Sequence, residues 1–169
     1  MEVWDAYLAN GTLAHVDLIR GEPIPRGLFH LVCEVLVRHQ DGDYLIMQRD
    51  WGKASSPGGY EATAGGSALK GESGLVCIER ELWEETGIKN GVYEFLDRFV
   101  YPERGCIFNT YLCTTDCDKD RIILQRGETI AYHWLTEWQF RKFIDSDFGI
   151  QTQKQRYIEC YRDLNLIEN

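Results

Sequence analysis

The sequence predicts a mixed α+β sandwich, and three observations predict it. Strand patterns outnumber helical ones along the chain. The helical patterns are central or late rather than alternating regularly with strands. No repeat, low-complexity tract or linker interrupts the 169 residues, a length that suits one compact domain spanning 1–169 with a substantial core.

The elements follow in order. An N-terminal β-hairpin is expected over about 2–18, turning at Asn10 and Gly11, a favoured two-residue turn pair. Arg20 to Gly27 holds Pro23 and Pro25 and is a loop. His30 to Arg38, rich in Val and Leu, is a strand; Asp41 and Gly42 turn it into a second strand, Tyr44 to Gln48. Arg49 to Gly59 is a polar loop, and Glu61 to Ala64 a short strand. Ser73 to Thr86 has helical spacing, and Gly87 is placed to end that helix in a left-handed turn. Tyr93 to Tyr101 and Cys106 to Thr114 are strands joined by a turn at Pro102 to Gly105. Thr129 to Leu135 is a late strand. C-terminal helices occupy about 138–164, one starting over Trp138 to Ile144 and the last covering Gln151 to Leu164.

Composition excludes several functions. A net charge of −9 argues against nonspecific nucleic-acid binding. No apolar run reaches membrane-spanning length, and Met1 to Asp5 lacks the basic-then-apolar form of a signal peptide, so a cytoplasmic location is expected. Six cysteines without a Cys-x-x-Cys pair are read as free thiols, with Cys33 and Cys77 in apolar segments. Cys113 and Cys117 lack the partners that would complete a zinc site.

The densest information lies between Gly66 and Ile88. Gly66, Glu72, Arg80, Glu81, Glu84, Glu85 and Gly87 occupy fixed positions, with aliphatic Leu82 and Ile88 between and after them. The chance of this pattern arising in a chain of this size is on the order of 10⁻⁸. On a helix, Glu81, Glu84 and Glu85 fall within an arc of roughly 100°. Leu75, Ile78 and Leu82 form an apolar stripe beside them. Three carboxylates at i, i+3 and i+4 repel one another, and a divalent cation removes the repulsion. Oxygen ligands suit Mg²⁺ or Mn²⁺. Gly65 and Gly66 let the backbone come close to a metal or phosphate. Arg80 is placed to orient the carboxylates through charge-assisted hydrogen bonds.

The pattern resembles, without departure, the signature of the Nudix family. The resemblance implies an α/β/α sandwich with a mixed sheet and Mg²⁺-dependent hydrolysis of a phosphoanhydride bond. The expected substrate is a small diphosphate, most simply a nucleotide derivative. It implies metal on Glu81, Glu84 and Glu85, completed by a backbone carbonyl of Gly65 or Gly66. Many members also carry a functional glutamate before a Trp-containing strand. Glu128, ahead of Trp134, stands there and is read either as a metal ligand or base, or as a solvated loop residue.

A second resemblance covers roughly Ala14 to Ile88. Arg26 to Val32, Leu45 to Arg49, Lys53, Pro57 with Gly58, and Gly71 to Ser73 are similar to isopentenyl-diphosphate isomerase, a Nudix-fold enzyme. His30, Arg49 and Lys53 match its metal-binding histidine and diphosphate-binding basic residues. Its catalytic cysteine and second metal histidine are replaced here by Ala64 and Gly66. Proton transfer to carbon then lacks its acid/base group. Arg49 and Lys53 are read either as a phosphate clamp in a hydrolase or as plain solvated charges, and His30 as either a satisfied strand residue or a ligand. The rival readings are an isomerase-like enzyme and a Nudix-fold nucleotide sensor without catalysis. The leaving moiety and the oligomeric state, a homodimer included, stay open.

Overall fold

The computed structural model describes residues 2–167. Its centre is a nine-stranded mixed sheet. The first two strands, β1 (Val3–Tyr7) and β2 (Leu13–Ile19), pair antiparallel. Their connection is longer than the expected two-residue turn. Leu8 N–H donates to Thr12 O and Gly11 N–H to Leu8 O, each at 2.8 Å. Only Gly11 takes a positive φ, 81°, whereas a two-residue type I′ turn needs both central residues left-handed.

The long strand β3 (Phe29–His39) organises the rest. Along one edge it runs parallel to β8 (Cys106–Thr115), from His30 opposite Cys106 to His39 opposite Thr115. Along the other edge it meets three strands in turn. These are β1 at His30, β6 (Thr63–Ser67) from Val32 to Leu36, and β4 (Tyr44–Arg49) at Arg38 alone. The expected hairpin of β3 and β4 therefore splays after one pair. β4 leaves to pair with β5 (Tyr60–Glu61) and β9 (Thr129–Leu135). The short strand expected over Glu61 to Ala64 is split for the same reason. The chain changes partner at Ala62, from β4 to β3. This wedge between diverging strands is where the site lies. The edge strand β7 (Val92–Tyr101) completes the sheet beside β8.

Helices cover both faces. The first, α1 (Gly74–Thr86), is capped by Ser73, which accepts from Val76 N–H, and ends at Gly87 with φ 74°. Its Cys77, Ile78 and Leu82 pack with Cys33, Val35 and Val37 of β3. Leu75 is exposed, against expectation. The inward line starts one residue earlier, at Gly74, where a Cβ would lie 2.5 Å from the Tyr111 hydroxyl, and continues through 77, 78, 81, 82 and 85. That rotation carries Glu81 and Glu85 toward the protein interior.

The opposite face packs Leu36, Tyr44 and Ile46 against α2 (Glu137–Asp145), α3 (Gln151–Arg156) and α4 (Ile158–Asp163). Tyr44 stacks on Phe140 at 4.4 Å. The single helix expected from Gln151 to Leu164 breaks at Tyr157, whose N–H is shared between Gln153 and Lys154 carbonyls. The fully buried Tyr157 instead donates its hydroxyl to Glu34 at 2.7 Å. All six cysteines are free, five of them buried. No helix among the described residues is long and apolar enough to cross a membrane.

Candidate active site

A cleft of ≈ 450 Å³ opens where β6 runs into α1. Lys53, Gly65, Gly66, Arg80, Glu81, Glu84, Glu85 and Glu128 all line it. Eight of the nine residues expected from the sequence thus line one cleft. The ninth, Arg49, lines an inner chamber of ≈ 190 Å³ that shares Lys53, Gly65, Glu85 and Glu128 with the cleft. A larger cavity of ≈ 570 Å³ lies elsewhere, between the Glu22 to Phe29 segment and Pro102 to Gly105. None of these carboxylates lines it, so chemistry and not size selects the cleft.

Two glycines let the helix come this close. A Cβ on Gly66 would sit 2.4 Å from the Glu81 carboxylate, and one on Gly65 would sit 2.1 Å from Cys33 O. Any other residue would force β6 away from β3 or push Glu81 out of the cleft.

Arg80 is the hub of the rim. Its Nε and Nη2 donate to the two Glu72 oxygens at 2.7 and 2.9 Å, a bidentate pair. Nη2 also reaches Ser67 O at 3.2 Å, and Nη1 donates to Glu81 at 2.7 Å and Glu84 at 3.3 Å. Glu72 is itself fixed by Leu69 N–H at 2.8 Å. The Arg80 hydrogen bond holds the Glu72 carboxyl below its usual range, and Glu72 in turn raises the Arg80 pKa. Glu81 is pushed up by burial, against the pull of Arg80.

Deeper in, the carboxylates have less support. Glu85 is 7 % exposed and accepts one hydrogen bond, from Gly65 N–H at 3.3 Å. Burial raises its pKa well above the carboxylate range, and repulsion from Glu61 adds to the rise. Glu61 is pushed up to about 7 by burial, with Arg49 opposing. Arg49 Nη1 bonds Glu61 at 3.1 Å while its Nε donates to Ser55 O. Lys53 pairs with Glu128. The basic pair thus stands at the site, with its charges on neighbouring carboxylates.

His30 does not line the cleft or the inner chamber. It stacks on Trp4 at 4.3 Å and lies 3.6 Å from Cys106 Sγ. That favours its reading as a satisfied strand residue. Sequence reasoning missed Glu61 and Arg20. Arg20 lines the cleft mouth and pairs with Glu2 at 2.8 Å. A glutamate in the otherwise uncharged strand before Gly65 was the available signal for Glu61.

The donor set fits a hard divalent cation. It is all oxygen, and Glu85 is buried without a cationic partner among the described residues. No three acid, imidazole or thiol groups converge on one point among those residues, and Arg80, Arg49 and Lys53 each pair with a carboxylate.

A family model described as NUDIX domain matches residues 28–154. An uncharacterized Nudix hydrolase, lin0387 of Listeria innocua, is 31% identical over 137 residues, 81% of each chain. An isopentenyl-diphosphate Delta-isomerase of Jannaschia sp. is 35% identical over 92 residues, 54% of this chain and 51% of the isomerase. Among solved structures, DR0079 from Deinococcus radiodurans superposes with a TM-score of 0.74 at 20% identity, covering 95% of this chain and all of that one.

Proposed function

The chain belongs to the NUDIX domain family of hydrolases acting on phosphorus-containing anhydrides, and from that premise we propose a Mg²⁺-dependent pyrophosphohydrolase for a small nucleoside-diphosphate-linked substrate. One observation supports this reading above the others. A single cleft gathers Glu81, Glu84, Glu85, Glu128, Lys53 and the backbone of Gly65 and Gly66. Phosphoanhydride cleavage needs charge neutralisation and a positioned water rather than a protein nucleophile. The cleft offers carboxylates for the first need and for the proton of the water.

Glu81, Glu84 and Glu85, with a carbonyl of Gly65 or Gly66, would hold the cation. When bound, it supplies charge neutralisation on the phosphates and a more acidic water. Arg80 orients Glu81 and Glu84, and Glu72 orients Arg80. Glu128 lines the same cleft, and there it would accept a proton or join the ligands. Lys53 and Arg49 would be the basic residues to meet the substrate phosphates.

The partial match to an isomerase keeps that chemistry as the second reading. It needs a thiol beside the substrate. Ala64 is buried where the isomerase cysteine would stand, and no cysteine lines the cleft or the chamber among the described residues.

The test is a screen of phosphoanhydride substrates with and without Mg²⁺, reading phosphate or mononucleotide release. Activity is expected with Mg²⁺ and none in excess chelator. Full turnover after verified demetallation would overturn the metal-dependent reading. Isomerisation of isopentenyl diphosphate without phosphate release would favour the rival.

A further inference from the structure

We infer that Glu61 of β5 is a further cation ligand, and that the inner chamber takes a divalent cation between Glu61 and Glu85. The inference rests on the metal-dependent reading above and extends it to a residue outside α1.

Topology makes the meeting unavoidable. Glu61 is the last residue of β5, paired with Met47 of β4, just before the chain crosses to β3. Four residues later Gly65 donates to Glu85. The crossing at Ala62 thus folds Glu61 and Glu85 onto one chamber with Glu128, Arg49, Lys53 and Thr129. The Glu61 side chain is 12 % exposed, so neither carboxylate is solvated freely.

Charge counting comes next. When ionised, as a cation's ligands are, Glu61, Glu85 and Glu128 would bring three negative charges against two positive ones on Arg49 and Lys53. Arg49 sits on Glu61 and Lys53 on Glu128. The carboxylate left without a cationic partner is Glu85, the most buried of the three. A buried carboxylate without a cation is costly.

An independent observation points to a ligand. Thr129 lines the same chamber, is 5 % exposed, and its Oγ1 has no hydrogen-bond partner. Buried polar atoms are almost always satisfied, and an orphan hydroxyl on a chamber lined by carboxylates has room there for a cation or its water as partner. A hydroxyl and two or three carboxylate oxygens are the donors Mg²⁺ or Mn²⁺ prefers, with water completing the shell. Glu61 is now held by the Arg49 guanidinium, so a cation would compete with Arg49 for it.

That competition gives a test with opposite signs. Mn²⁺ is titrated into the metal-free protein, and free Mn²⁺ is read by electron paramagnetic resonance. Glu61→Gln is expected to remove one equivalent of bound Mn²⁺ or weaken it about tenfold. Arg49→Met is expected to hold or tighten it, because a competing cation is gone. If Glu61 merely anchors Arg49, Glu61→Gln binds Mn²⁺ like the wild type, and the inference fails. Parallel weakening in Glu61→Gln and Arg49→Met would show that the ion pair only shapes the chamber, and overturns it too. If Glu61→Gln does not fold by thermal melt, Glu61→Asp takes its place. It keeps the charge but retracts the carboxylate, and wild-type binding in it counts against the inference. Glu84→Gln separates this inference from the reading it rests on. Lost Mn²⁺ binding in Glu84→Gln, with none lost in Glu61→Gln, sinks the inner ligand alone. No loss in either sinks both.

Discussion

Glu34 on β3 and Glu85 on α1 are withdrawn from water to nearly the same degree, 9 % and 7 % exposed, and they keep very different company. Glu34 accepts from Arg156 Nη2 at 2.6 Å and from the Tyr157 hydroxyl at 2.7 Å. Arg156 also stacks over Phe108 at 4.3 Å. Glu85 has one long backbone hydrogen bond and acidic neighbours. Burial alone therefore says nothing about role. A buried carboxylate with its charge matched ties the C-terminal helices to the sheet. One left unmatched, as Glu85 is, has the chemistry of the cation ligand proposed above.

The comparison breaks most visibly in activity. Glu85→Gln and Glu84→Gln are expected to lower kcat by about 10²-fold or more, from loss of charge where the transition state needs it. The melting temperature of the metal-free protein should hold or rise, since like-charge repulsion falls. Wild-type turnover in both variants would make the α1 face a solvated acidic surface.

Glu34→Gln should show the converse. It leaves the largely buried Arg156 without a counter-charge and is expected to cost about 3 kcal/mol of stability. Chemical denaturation measures this directly. Turnover per folded molecule should remain near wild type, because Glu34 contacts α3 and not the cleft. A large kcat loss with intact stability would reverse the contrast between the two carboxylates.

A smaller effect is expected from the basic loop. Lys53→Ala should raise KM about tenfold with little change in kcat, if the ammonium meets a phosphate equally in ground and transition states. Unchanged KM would leave Lys53 as the partner of Glu128 and nothing more.

How far the sequence announced this contrast depends on the spacing of the residues involved. The α1 carboxylates, Arg80 and the two glycines lie within 23 residues at helical intervals, so their convergence could be read from the chain. Thr129–Leu135 was legible because β-branched and aromatic residues bounded by Gly127 and Thr136 leave few alternatives. Glu34 with Arg156 is separated by 122 positions, and no local pattern encodes such a pair. Glu61 was hidden by a change of strand partner at Ala62, a tertiary event. Leu75 was misplaced because the inward face of α1 follows Gly74, and a glycine carries no hydrophobic signal. The break at Tyr157 was hidden too, since Tyr157 bonds Glu34, 123 positions away in the chain.

The smallest expected effect concerns pH, and it tests the unmatched side of the comparison without substrate. The Glu61 carboxyl rises from 4.5 to about 7 in the fold, burial being the main cause. Between those values the folded protein holds a proton on Glu61 that the unfolded chain has released. Bound protons then favour the folded state, so this contribution to stability is full below about pH 4.5 and is lost as pH rises toward 7. Glu81 and Glu85, also raised by burial, act in the same sense. His30 acts in the opposite one, because burial lowers its pKa from 6.5 and the unfolded chain binds its proton more readily. A wild-type melting curve alone mixes these signs. The difference between wild type and Glu61→Gln cancels His30 and leaves Glu61 together with the part of the Glu85 rise that Glu61 causes, which has the same sign. In chelator, the wild-type melting temperature should fall relative to the variant as pH rises from 4.5 to 7. Saturating Mn²⁺ should abolish or reverse that trend, since the cation favours the ionised carboxylate. A constant difference across the window, with and without Mn²⁺, would place Glu61 among the matched carboxylates beside Glu34.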